Sequence, residues 1–228
     1  MKIKILFVAI TFVVLAALSA AGFYIYKNLI QPASSTEIIN TPLVTNNEGR
    51  ETGEAPEIKN EEILKETRLS KDGFEITLPP GWQEATSTYE GFLLLAFDAQ
   101  EDISGGNFQK LDFRTNLSVK SDDLGKYSSL DTLEKYVESM KTSLIQAIPG
   151  IAFVKEDQKT INGNESFFIE LSSRQKEIDF KTLLMFIKGN DNIVYAVSFN
   201  TFQGFWENYQ GVFEQIAQSF KLKYKIEL

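Results

Sequence analysis

Residues Phe202–Phe220 read FQGFWENYQGVFEQIAQSF and place six aromatic side chains in nineteen positions. The stretch is either a stacking platform for a ligand or the buried side of a helix. At 100° per residue, Phe202, Phe205, Trp206, Tyr209, Phe213, Ile216 and Phe220 fall on one side. Glu207, Glu214, Gly204, Gly211 and Gln218 fall on the other. Asn200 is placed to cap this helix, with Gln203 reaching back as the capping-box partner. A platform for nucleic acid needs basic neighbours. No Lys or Arg occurs between Val194 and Phe220. The stretch therefore predicts a long helix with an aromatic core face, leaving Trp206 or Tyr209 to reach a rim.

Upstream, four segments read as strands: about 152–160, 165–175, 178–188 and 192–200. INGN and GNDN mark two of the turns between them, and RQKE the third. Such short connections predict an antiparallel meander. FKTLLMFI and IVYAVSF carry large apolar residues at both alternations, so both faces of the sheet need cover. A second helix can supply one of those layers. In SSLDTLEKYVESMKTSLIQAIPG, Leu130, Leu133, Val137, Met140, Leu144 and Ile148 form one apolar stripe. Ser128 is the expected cap, Asp131 lies in the first turn, and Pro149–Gly150 ends the helix. Before it, GFEITLPPGW predicts a strand closed by a turn, with Trp82 returning to the core. FLLLAF (Phe92–Phe97) predicts a buried strand, and FQKLDFRTNLSV (108–119) another extended stretch.

The whole chain divides by composition into three segments. Residues 1–27 contain an uncharged run from Ile5 to Tyr26, preceded by Lys2 and Lys4. About 20 apolar residues cross a bilayer as a helix. The lysines predict a cytoplasmic N-terminus with the remainder exported. A cleaved signal peptide ending near Ser19–Ala21 is the rival reading. The length and the late aromatics Tyr24 and Tyr26 favour an uncleaved anchor. Residues 28–68 hold no aromatic residue, three of the six prolines, and eight Glu against four Lys or Arg. This predicts a disordered acidic linker, with a short helix at Asn60–Thr67. Residues 69–228 form the folded domain. The expected location is the cell membrane, single-pass, with an extracytoplasmic domain.

The formal charge of −8 argues against a nucleic-acid partner. The chain has no Cys and no His. It therefore lacks thiolate zinc sites, disulfides and the commonest proton-transfer side chain. Ser173 and Lys176 match Ser-x-x-Lys, but the companion motifs of that nucleophile are absent. Asp98, Glu101 and Asp102, with Ser104 and Asn107, offer hard oxygen ligands for calcium at a spacing unlike an EF-hand loop. Asp122–Asp123 and Glu156–Asp157 read as solvated pairs. Asn116 and Asn164 begin glycosylation sequons, which matter only in a eukaryotic secretory pathway. No residue is assigned a catalytic, cofactor-binding or metal-binding role, and no cofactor is expected.

Three phrases carry a family resemblance: DGFEITLPPGWQ, TINGNESFFIEL and YAVSFNTFQGFWENYQGVFEQIAQSFKL. Over about residues 69–228 the domain resembles the PsbP-like superfamily. The resemblance implies an α/β/α sandwich with a central antiparallel sheet and two long helices. It also implies a non-catalytic binding or assembly module, held in many bacterial relatives behind an anchor and short tether. The plant photosystem II member works with manganese and calcium chemistry. No histidine exists here to carry over, so no functional residue and no photosynthetic role follow. The expected partner is the membrane together with an envelope protein or small ligand. The competing expectations are an envelope hydrolase using carboxylates or the Ser173/Lys176 pair, and a calcium-responsive domain.

Overall fold

A computed structural model describes residues 65–85, 91–104, 113–127, 129–175 and 177–223. The expected anchor and all but the last four residues of the expected linker lie outside them. Among the described residues, no helix is long and apolar enough to cross a membrane.

The fold is α+β. Seven antiparallel strands run in the order β3 (Trp82–Glu84), β4 (Leu94–Asp98), β5 (Asn116–Asp123), β9 (Ile193–Phe202), β8 (Ile178–Lys188), β7 (Asn164–Gln175) and β6 (Ala152–Ile161). The last four form the expected meander. Its turns use Asn162–Gly163, Glu177 and Asp191–Asn192, all at positive φ. A second sheet of β1 (Thr67–Lys71), β2 (Phe74–Leu78) and β10 (Lys221–Leu222) was not foreseen. Its β10 is only two residues long, below the length at which periodicity signals a strand.

The large sheet is covered on both faces, as the continuous apolar runs require. On one face Leu184, Phe186, Ile169 and Val194 pack against α1 (Leu133–Ala147) through Tyr136, Val137, Met140 and Leu144. On the other, Leu183, Met185, Ile187, Val197 and Phe199 meet α2 (Trp206–Ser219) through Trp206, Phe213 and Ile216. β2 completes that second layer with Phe74, Ile76 and Leu78. Phe74 stacks on Phe220 with ring centroids 4.9 Å apart.

Three local expectations are corrected. First, Thr132 caps α1, its hydroxyl accepting from the Lys135 amide at 3.3 Å; Ser128 lies outside the described residues. Second, Asn200 does not cap α2. The strand β9 continues through Phe202, which pairs with Phe180, so Asn200 faces into the sheet. A short 3₁₀ turn at Gln203–Phe205 then leads into α2. Third, the aromatic stripe is shorter than its periodicity. Phe202 packs with Phe113 and Phe180 at the sheet's end, and Phe205 is 39 % exposed. Trp206, Phe213, Ile216 and Phe220 are buried as predicted and Tyr209 is partly so. Glu207, Gly204, Gly211 and Gln218 are exposed, but Glu214 is half-buried.

Candidate functional site

Among the described residues, two polar regions stand out, one on each face of the large sheet. The first lies under the start of α2. Asp98 ends β4, and the following turn folds back over β5. The Arg114 guanidinium holds that turn, its Nη1 donating to the carbonyls of Asp98, Ala99 and Glu101 at 3.2, 3.2 and 2.9 Å. Glu101 accepts from the Thr115 amide at 2.5 Å and from its hydroxyl at 2.6 Å. The Thr115 proton being committed to Glu101, the Thr201 hydroxyl donates to Thr115 at 2.9 Å. Tyr209 donates from α2 to Asp98 Oδ2 at 2.8 Å, and the Gln100 amide donates to Asp98 Oδ1 at 2.9 Å. Burial pushes the Glu101 carboxyl up. The Tyr209 hydroxyl is raised by burial and by the carboxylates of Glu101 and Asp98.

This loop is the one whose oxygens suggested calcium. The structure engages those oxygens with protein donors, with Asp102 remaining exposed. Asp98 serves Tyr209 and Gln100, Glu101 serves Thr115, and Asp102 accepts from the Ser104 amide at 2.9 Å; the Ser104 hydroxyl and then that amide hold its carboxyl below the ordinary range. Asn107 lies outside the described residues. Among those described, no three acidic side chains gather where they could share a cation.

The same face carries a buried ion pair. Lys181 Nζ lies 2.6 Å from Glu170 Oε1, with the side chains 7 % and 14 % exposed. The ammonium sits 5.5 Å from the Trp206 ring centroid. Beside it runs a shallow groove lined by Lys155, Lys159, Phe168, Gln210 and Glu214, with room of about 30 Å³.

The second region lies on the α1 face. Strand β5 directs Asn116, Ser118, Lys120 and Asp122 to that side, because Leu117 and Val119 face α2. Asn116 and Asn200 are directly opposed, and the Asn200 amide donates to Asn116 Oδ1 at 3.2 Å. Thr182 adds a bond to Asn200 Oδ1 at 2.9 Å. One step along, Ser118 and Ser198 are opposed and are 6 % and 5 % exposed. Next comes Lys120, whose Nζ lies 3.9 Å from the Phe92 ring centroid. These residues border a notch of about 20 Å³ walled by Met140, Leu144, Leu184 and Phe186. Desolvation in these walls pushes the Lys120 ammonium down to about 8. A perturbed titrating group and convergent hydroxyls at the mouth of an apolar recess are the usual marks of a ligand site. Beyond it Asp122 accepts from Tyr136, and burial raises its carboxyl. It is therefore not the simple solvated group its sequence suggests.

Ser173 is buried in β7, paired in register with Phe180, and Lys176 lies outside the described residues. Asn116 and Asn164 are half-buried, their side-chain amides bonded to backbone carbonyls. Lys120 was missed because NLSVKSD alternates like a strand with one wet face. Only the placement of α1 shows that this polar side is largely covered.

No curated protein matches the chain. Among solved structures, the solution structure of cyanobacterial PsbP (CyanoP) from Synechocystis sp. PCC 6803 is similar, with a TM-score of 0.48 and 18% identity. That match covers 72% of this chain and 96% of that one. The crystal structure of LpqN, involved in cell envelope biogenesis of Mycobacterium tuberculosis, matches with a TM-score of 0.49 and 10% identity, over 71% of this chain and 92% of that one. The PsbP family model matches residues 64–222, which is most of the chain and all of its described strands and helices, and the chain therefore belongs to the PsbP family.

Proposed function

We propose that the protein is a membrane-anchored, extracytoplasmic binding or assembly module without catalytic activity. One observation carries this reading: among the described residues, the carboxylates and the serine that the sequence singled out hold the fold. Asp98 and Glu101 tie the turn after β4 to α2 and β5, and Ser173 is a strand-interior residue. The recesses of about 20 and 30 Å³ hold a water or two and cannot enclose an ordinary substrate. Membership of a family that is in general non-enzymatic supports the same reading. The uncharged run Ile5–Tyr26 after Lys2 and Lys4 supplies the anchor and its orientation. The acidic segment 28–68 supplies a tether that sets the domain's reach. The partner is an envelope protein or a small ligand.

Crosslinking the full-length protein in native membranes tests this. Recovery of one dominant envelope protein supports an assembly role. Turnover of any substrate that is lost with the domain overturns the reading.

A further inference from the structure

We infer that strand β6 is a self-association edge: two copies of this chain pair antiparallel along it, about a two-fold axis at Gln158, and join their large sheets. The inference deepens the assembly half of the proposed function by naming the partner, a second copy of this chain.

The edge is open. Among the described strands β6 pairs only with β7, so its other side carries unpaired backbone groups. It is ten residues long, whereas β3 at the opposite end of the sheet has three. Lys155, Glu156, Gln158, Lys159 and Thr160 are all exposed, and Val154 is 53 % exposed.

The hairpin decides which backbone groups point outward. Asn162 and Gly163 have φ of 49° and 84°, as a two-residue type I′ turn requires. Such a turn closes on the directly paired Ile161 and Asn164, which bond to each other. An antiparallel ladder alternates from there. Lys159, Asp157 and Lys155 therefore bond inward to β7, and Thr160, Gln158 and Glu156 turn their N–H and C=O outward. The bulge between Phe153 and Lys155 ends this regular run.

The side chains then choose the register. A two-fold axis perpendicular to the sheet keeps each face on its own side, so every symmetric register opposes one residue to itself. Centring on Asp157 opposes two carboxylates and sets Lys155 against Lys159. Centring on Lys159 opposes two ammoniums. Centring on Gln158 opposes two amides, sets Asp157 against Lys159 twice, and leaves Glu156 with Thr160 and Lys155 with Ile161. Centres nearer the ends of the run leave most of it unpaired. Like charges directly opposed destabilise a pair and opposite charges stabilise it. Within one copy Asp157 and Lys159 already lie 3.3 Å apart, so pairing completes an alternating cluster of charges. Charged residues are the usual guard of a bare edge. Here they block the neighbouring registers and leave one open. The backbone agrees, because Gln158 is an outward-bonding residue and its two copies can exchange both hydrogen bonds at the axis. The proposed anchor confines both copies to one membrane, which raises their effective concentration.

The chain has no cysteine, so an introduced one reports alone. Opposed residues of a bonded antiparallel pair have Cα atoms about 5.5 Å apart, within the range that a disulfide spans. Full-length Gln158→Cys in native membranes should form a disulfide-linked dimer on mild oxidation with copper–phenanthroline. Glu156→Cys and Thr160→Cys point to the same side of the sheet. Each alone should stay unlinked, because its own counterpart lies about 13 Å along the ladder. Co-expressed, the two should link to each other. Adding Lys159→Glu to Gln158→Cys opposes carboxylates twice and should cut linkage about tenfold. Adding Asp157→Lys as well restores the opposite charges and should restore the dimer, which a misfolded variant would not do. No link at Gln158, equal linkage of all three single cysteine variants, a link to a different protein instead, or no recovery in the charge-exchanged variant overturns the inference. If the dimer fails while crosslinking recovers an envelope partner, only this inference falls and the binding-module reading stands. Turnover tracking with the domain would overturn that broader reading instead.

Discussion

The side chain of Asn162, in the turn between β6 and β7, donates to the carbonyl of Phe220 at 2.8 Å and to that of Gln218 at 3.0 Å. A hairpin turn thereby caps the C-terminal end of α2 from outside. The last carbonyls of a helix have no partner within it. Asn serves here because it tolerates φ of 49° and because its amide donates. Asn162→Gly keeps the backbone relaxed and loses the two bonds, so it should cost about 1 kcal/mol. Asn162→Asp sets a carboxylate against two carbonyls and should cost about 2–3 kcal/mol. A urea midpoint for Asn162→Gly equal to that of wild type would mean that the amide contributes nothing.

Glu101 makes stability fall as pH rises. Burial raises its folded carboxyl above the ordinary 4.5. Its contribution is therefore fully present below about 4.5 and is lost as pH rises through the raised folded value. The acids Glu75, Asp131 and Glu134 act the other way, because their folded carboxyls are lowered. The difference between wild type and Glu101→Gln isolates the one group. That difference should shrink from pH 4 upward through the weakly acidic range. A flat difference in chemical melts across this window would remove Glu101 as a titrating element.

Calcium should leave the melting temperature of the full-length protein unchanged, because Asp98, Glu101 and Asp102 are already engaged by protein donors. A rise that disappears in a variant carrying both Asp98→Asn and Asp102→Asn would show that the loop opens to take the ion.

Phe213 is the keystone of the aromatic face. It is fully buried, with Phe199 at 5.2 Å, Tyr209 at 5.9 Å, Trp206 at 6.0 Å and Trp82 at 6.3 Å between ring centroids. Phe213→Ala should destabilise the domain by about 3–5 kcal/mol. Exposed Glu207→Ala on the opposite side should stay within about 0.5 kcal/mol. Similar losses from both would mean that the helix is rotated about its axis.

Why these elements were legible and others were not is a matter of pattern length. Leu133, Val137, Met140 and Leu144 repeat over three turns, and nothing but a helix satisfies that period. FKTLLMFI announces a strand covered on both sides because it has no polar alternation to spare. Phe202 shows the limit. It continues the helical period of Phe205 and Trp206, yet pairing with Phe180 holds it in β9. A few residues at a strand–helix junction satisfy both periods, and the ladder's hydrogen bonds decide. Asn200 looked like a cap because Asn favours caps, but Thr182, Ser198 and Asn116 engage its side chain inside the sheet. The candidate sites were harder still. Lys120 and Ser118 draw their character from Met140 and Leu144 on a distant helix. That juxtaposition is tertiary, and no local spacing encodes it.

The Lys181–Glu170 pair was equally invisible in sequence, and it permits the sharpest energetic test. Both charges are nearly withdrawn from water, at 7 % and 14 % side-chain exposure. Desolvation makes such a pair weak evidence of net stability, while loss of one partner leaves the other charge stranded. Lys181→Met alone should therefore cost about 3–5 kcal/mol, part of it from the lost contact with the Trp206 ring. Glu170→Leu alone should cost a similar amount. The double variant should recover most of the loss and fall within about 1–2 kcal/mol of wild type. The strand register makes the cycle clean, because Glu170 and Lys181 are diagonal neighbours across β7 and β8, and apolar side chains there would meet Leu183 and Trp206. Urea midpoints for the four proteins give the coupling directly. Additive single-variant losses would mean that water reaches the pair and that the groove beside it is open.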